Sequence, residues 1–167
     1  MSAVAKLALP ALAAFFVSAC GNSATNAVTP TPSSETTTTT IPMAQAVAQW
    51  RHEATPDANA ITGDLTRIED SLTRNQPDFG EVKAACQELK HTTEDLGAHL
   101  PSPDPKLSAL VEAAVASYIE ASRTCIGASP DVQDPAWEQV VTKIEEGARH
   151  MAEAGDIMNA YRDAPPS

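Results

Sequence analysis

Basic residues are in short supply. The 167-residue chain carries 11 Lys and Arg against 22 Asp and Glu, a formal net charge of −11. A surface of that sign repels nucleic acid phosphates and anionic lipid headgroups, so no nucleic acid partner is expected. Other deficits narrow the field. No glycine-rich phosphate loop is present, and no serine sits in a Gly-x-Ser-x-Gly elbow. No stretch alternates polar and apolar residues as a β-strand does. Histidines number four and cysteines three. Enzyme is the least favoured class on these grounds, with no catalytic residue or cofactor to assign.

The histidines are where a metal or haem site would show itself. Glu88 and His91 match the Glu-x-x-His of di-iron bundles, but such sites need a second copy and two further inward glutamates. The second copy is absent. On a helical wheel Glu88, His91 and His99 lie more than about 100° from the apolar seam of their helix. Glu146, His150 and Glu153 fall on the side away from Trp137 and Ile144, and His52 falls opposite Trp50. All four histidines are expected in solvent, with no metal site. The neighbouring carboxylates Glu94-Asp95 and Glu145-Glu146 are expected on exposed faces.

The N-terminus reads as an export signal. Lys6 is followed by an apolar run from Leu7 to Val17, and Gly, Asn, Ser, Thr and Pro take over after Cys20. Val17-Ser18-Ala19-Cys20 resembles a bacterial lipobox, in which the cysteine thiol receives a diacylglycerol before cleavage in front of it. Residues 1–19 are then a cleaved lipoprotein signal peptide. Cys20 becomes the lipidation site, carrying acyl chains such as palmitate. Without Lys6 the chain keeps 10 basic and 22 acidic residues, a charge of −12.

Residues 20–42 read as the acylated cysteine plus a disordered linker. Pro30, Pro32, Pro42 and the run Thr36 to Thr40 offer no apolar face to bury. As a coil it would hold a domain some 25 to 30 Å from the anchor. With Cys20 assigned to lipid, Cys86 and Cys125 remain as a pair in a chain bound for an oxidising compartment, which points to one disulfide. Closing a loop of about 40 residues would stabilise the fold by roughly 4 kcal/mol in the chain-entropy model.

From Met43 onward the periodicity is helical. Met43, Val47, Trp50, Ala54, Ile61, Leu65, Ile68 and Leu72 stay in phase through Thr55-Pro56, so one long helix kinked at Pro56 is expected. Asp78 and Glu81 have capping-box spacing before a second helix seamed by Phe79, Val82, Cys86, Leu89, Thr93, Leu96 and Leu100. Pro101-Ser102-Pro103 ends it. Asp104-Pro105 starts a third helix carrying Leu107, Val111, Ala114, Tyr118, Ser122 and Cys125, with Gly127 as its stop. Asp134-Pro135 repeats that start for a fourth, with Trp137, Val141, Ile144, Ala148, Met151, Gly155 and Met158 on one face. Short connections imply antiparallel neighbours. The expected fold is all-α, an up-down-up-down four-helix bundle over residues 43–163, with a disordered C-terminus at 164–167.

That arrangement tests the cysteine pairing. Counted from the ends of a tight hairpin, Cys86 and Cys125 miss each other by about six residues, roughly 9 Å of rise. Four extended residues of the Pro-rich connection span ~13 Å and absorb the difference. Met43, Met151 and Met158 with Trp50 and Trp137 are candidates to line a pocket, since methionine adapts to varied ligands. The competing reading is that they fill an alanine-rich core whose close helices leave little cavity.

The lipobox, the Thr/Pro spacer and the stretch from Cys86 through Leu100-Pro101-Ser102-Pro103-Asp104 to Tyr118 and Cys125 make the chain similar to small mycobacterial and related actinobacterial cell-envelope lipoproteins. The resemblance implies an acylated, surface-held helical protein, exported and lipid-anchored through Cys20 to the outer face of the cell membrane. It transfers no catalytic residues. The function expected is an interaction module presenting an acidic helical surface to an envelope protein or glycan. The alternative is a carrier of a small apolar ligand within the bundle.

Overall fold

The computed structural model describes residues 41–131 and 133–163. Four helices follow one another: α1 (Met43–Thr73), α2 (Phe79–Ala98), α3 (Pro105–Gly127) and α4 (Ala136–Asp163). No strand occurs among the described residues. The expected signal segment, the Thr36 to Thr40 run and residues 164–167 lie outside them.

Each helix starts where a local device satisfies its first amides. At α1 no side chain caps the end, and the Pro42 carbonyl accepts from Gln45 and Ala46 at 2.9 and 3.0 Å. Pro56 sits inside α1, which continues through it. The missing Pro56 N–H leaves the His52 carbonyl without its ladder partner. Asp78 caps α2 by accepting from the Gly80 and Glu81 amides, both at 3.0 Å. Only half of the capping box forms, because the Glu81 carboxylate turns to Arg74 at 2.6 Å instead. Asp104 caps α3 through the Leu107 amide at 2.8 Å, with Pro105 as first helical residue. Asp134 accepts from Ala136 at 2.9 Å and from Ser129 at 2.8 Å, tying both sides of the last connection together. Those two amide bonds hold its carboxyl below the ordinary range.

Contacts run around a ring. The α3–α4 seam is the most extensive, α1–α2 and α2–α3 follow, α1–α4 is sparse, and the diagonal pairs stay apart. Cross-links give the directions. Asp57 with His99, Asp64 with Thr92 and Arg74 with Glu81 climb α1 while descending α2. Asp104 with Tyr161 and Glu120 with Lys143 do the same for α3 and α4. The topology is up-down-up-down.

Cys86 and Cys125 are bonded, with Cα atoms 6.2 Å apart and both residues fully buried. Cys86 lies 12 residues before the end of α2, and Cys125 lies 20 residues into α3. The mismatch is about 12 Å of rise, somewhat more than the tight-hairpin count implied. The connection takes it up and is itself braced: the Ser102 amide donates to Ser108 Oγ at 3.1 Å, and Ser102 Oγ donates to the Asp104 carbonyl at 2.8 Å.

Several positions depart from the expected seams. Val140 is buried in α4 and Val141 is not, while Trp137, Ile144, Ala148, Gly155 and Met158 keep the expected face. Met43 stands exposed, since it lies two turns before Trp50, where α1 meets the end of α2. Asp64 and Ser71 occupy buried places in α1 between apolar neighbours.

At mid-bundle, α3 and α4 approach closely. A Cβ at Gly147 would come 2.6 to 2.8 Å from three atoms of the Tyr118 ring. The ring therefore lies flat on α4 backbone that only glycine leaves open. Burial pushes the Tyr118 phenol above its ordinary value of 10.0.

Gly147→Ala should lower the melting temperature, because overpacking costs about 1–3 kcal/mol and outweighs the gain of about 1 kcal/mol in helix propensity. Gly63→Ala should raise it, since a Cβ there meets nothing. Thermal melts of the two variants decide the matter. Cys125→Ser should cost about 2–5 kcal/mol. It should also leave Cys86 unreactive to thiol reagents until denaturation, while the parent shows no free thiol from this pair.

Candidate functional site

The expected acylation site, Cys20, lies outside the described residues. Its side of the chain joins the bundle at Ile41 and Met43, the large apolar side chains that stand exposed, at 53% and 47%. Farther along α1 the bundle end is closed by polar bonds. Trp50 Nε1–H donates to the His99 carbonyl at 2.7 Å, and His99 Nε2 lies 2.9 Å from Asp57 Oδ2. Asp104, besides capping α3, accepts from the Tyr161 hydroxyl at 2.6 Å. The Tyr161 bond first, then the Leu107 amide, holds the Asp104 carboxyl below its ordinary value. The same bond raises the Tyr161 phenol.

Two of the four histidines are not in open solvent as expected. His99 is half-buried against α1, where Asp57 meets it. His150 is half-buried, its Nδ1 is enclosed without a hydrogen-bond partner, and its Nε2 lies 3.3 Å from Arg149 Nη2. A wheel drawn about one helix axis places such residues off that helix's seam. It does not show the flank of the neighbouring helix that covers them. His52 and His91 are exposed.

The ligand sets weighed from spacing do not assemble. Glu146 is held by Lys143 at 3.0 Å and Glu153 by Arg149 at 3.0 Å. His91 faces Asp95 at 3.9 Å, while His99 turns to Asp57. Among the described residues no group of three or more His, Cys, Asp or Glu is placed to hold a metal ion. The five candidate pocket residues do not converge either. Trp50 sits at the C-terminal end of α2, whereas Trp137 stacks on Phe79 at its start, ring centroids 5.8 Å apart. Some 20 residues of helix, about 30 Å, separate them.

One group the sequence reading passed over is chemically unusual. Asp64 is 7% exposed, packed in α1 toward α2. Thr92 Oγ1 donates to its Oδ2 at 3.0 Å, and Arg67 Nη1 reaches its Oδ1 at 3.4 Å. Burial raises the Asp64 carboxyl above its ordinary value of 3.8, only partly offset by Thr92 and Arg67, with Glu88 adding to the rise. The signal was present: position 64 lies three residues from Ile61 and four from Ile68, on the seam itself.

The sequence matches no protein-family model, no curated protein and no solved structure.

The two acids titrate with opposite sign. Asp64 has a raised folded value, so its ionised form penalises folding; stability falls as pH rises from the ordinary carboxylate value through the raised one. Asp104 has a lowered value, so it supports folding above the ordinary range and loses that support as pH falls toward the lowered value. Asp64→Asn keeps an acceptor for Thr92 and should melt at or above the parent at pH 7, the advantage shrinking to nothing below about pH 3.9. Asp104→Ala should lose about 1–2 kcal/mol at pH 7 through its cap, and less in acid. Melting curves across pH separate the two.

Proposed function

We propose that this chain is a cell-envelope lipoprotein. It is exported, acylated at Cys20 and held at the outer face of a bacterial cell membrane, where it presents an acidic helical bundle as an interaction module. The observation that carries the reading is Val17-Ser18-Ala19-Cys20 at the end of the Leu7 to Val17 apolar run. Ser18 and Ala19 leave room for enzymes to reach the thiol, the one good nucleophile of the segment. Two acyl chains give stable attachment where one is marginal.

Other features support it. The Cys86–Cys125 bond suits an oxidising compartment. No helix among the described residues is long and apolar enough to cross a membrane, so attachment would fall to the N-terminal segment. The acid excess favours solubility and a partner of basic or neutral chemistry, an envelope protein or a glycan. Interaction is preferred to carriage of an apolar ligand because the two tryptophans are held at opposite ends of the bundle.

Cys20→Ala tests the anchor. The parent, expressed in a host with lipoprotein processing, should fractionate with membranes and incorporate a palmitate label. The variant should remain an uncleaved precursor or appear as soluble, unlabelled protein. A Cys20→Ala chain that is still processed, labelled and membrane-bound would refute the assignment.

A further inference from the structure

The outward face of α3 is unlike the rest of the surface. Ala109, Glu112, Ala116, Ile119, Arg123 and Ile126 recur at alternating steps of three and four, the repeat of a coiled-coil seam. They lie on the side away from the column of Leu107, Val111, Tyr118 and Cys125 that packs into the bundle. Ala109, Glu112, Ala116 and Arg123 are exposed, and the two isoleucines are half-buried, Ile126 against the bundle's own core. Among the described residues neither Glu112 nor Arg123 has an ion-pair partner. By contrast Glu120, on the α4 side of the same helix, is taken by Lys143 at 3.2 Å. One seam is all that α3 needs to belong to its own bundle. Of this second one, only Ile126 packs against the monomer's own core.

The second seam is complementary to itself. Place another copy antiparallel, about a two-fold axis level with the midpoint between Ser117 and Tyr118. Ala109 then faces the partner's Ile126, Ala116 faces the partner's Ile119, and Glu112 faces the partner's Arg123. Symmetry repeats each pair on the other side of the axis. Every small side chain meets a large one and every carboxylate meets a guanidinium. A parallel pairing would set Glu112 against Glu112 and Arg123 against Arg123. Sliding the antiparallel pair by one heptad loses both ion pairs. The column itself carries one charge of each sign, on a chain of net charge −11. Two such chains therefore meet here without a like-charge excess within the column.

We propose that α3 forms the interface of a homodimer, two copies packing α3 on α3 antiparallel through this column. The contact runs over 18 residues, about 26 Å of helix, from one helix on each side. That places it among the small interfaces, under about 1,200 Å², and the dimer is a weak and exchanging one. Nothing in this depends on how the chain is attached to a membrane.

Sedimentation equilibrium of the full chain in density-matched neutral detergent reads the association directly. The parent should show a monomer–dimer equilibrium with Kd of order 1–100 μM. Glu112→Arg and Arg123→Glu should each weaken it about tenfold or more, by setting like charges against each other. The double exchange should bring the Kd back to within about threefold of the parent, because it restores both pairs with reversed polarity. Ala116→Glu should abolish the dimer. All four positions changed or opposed are on the surface, so melting temperatures within about 2 °C of the parent would show the fold unaltered. A chain that stays monomeric to about 1 mM overturns the proposal. So does a dimer indifferent to Ala116→Glu, or one that the double exchange fails to restore.

Discussion

The Cys86–Cys125 bond determines how far α3 is displaced along α2, and much of the bundle follows from that displacement. Because Cys125 is far into α3 and Cys86 only midway down α2, α3 has to begin well past the end of α2. The overshoot carries Asp104 to the level where Tyr161 of α4 can donate to it, and carries Tyr118 to the level of Gly147. It also makes room for the braced connection through Ser102, which in turn holds His99 and its carbonyl against Trp50 and Asp57. A covalent link near one end thus sets polar contacts at the other. In the chain-entropy picture the same link removes unfolded-state freedom over 39 residues of sequence, a large part of the marginal stability of a small domain.

The interior is more polar than an alanine-rich bundle requires. Most helical hydroxyls quiet themselves locally: Thr55, Thr62, Thr66, Thr73, Ser117, Ser122 and Thr142 each donate to the carbonyl four residues back. Ser71 and Thr93 do not. Both are fully enclosed, with no hydrogen-bond partner. A buried hydroxyl left in that state costs about 1–3 kcal/mol. Together with Asp64 they make the α1–α2 side of the bundle the one where folding gives up the most. The α3–α4 side, with the Tyr118 ring flat on Gly147, is where packing is closest.

In the proposed reading the bundle is tethered and works through its surface. Its carboxylates are mostly spread over outward faces, a minority of them engaged in pairs along single helices, such as Lys90 with Glu94 and Arg149 with Glu153. Pairs so exposed are worth little to stability and are screened by salt. Their collective effect is a field that discourages anionic neighbours. The proposed anchor at Cys20 and the proposed interface on α3 are separate features, one at the start of the chain and one midway along the bundle.

Sequence alone sufficed for the helices and their connections, because these are local matters. Three- and four-residue recurrence marks each apolar face, and Asp78, Asp104 and Asp134 satisfy the first amides of helices within three residues of themselves. The cysteine pairing was also legible, since only two thiols remain once Cys20 is set aside and both lie on apolar faces. What tertiary structure decided was every feature that needs a second helix. A wheel about the α2 axis cannot see α1, so it assigned His99 to solvent when Asp57 covers it. The α4 wheel likewise left His150 exposed and chose Val141 over Val140, because a wheel holds no neighbouring helix. Asp64 was overlooked because an acid is read as a surface residue, and it is chiefly enclosure against α2 that raises its carboxyl. Gly147 carries no pattern of its own. Its role exists only because the register set by the disulfide brings the Tyr118 ring onto it.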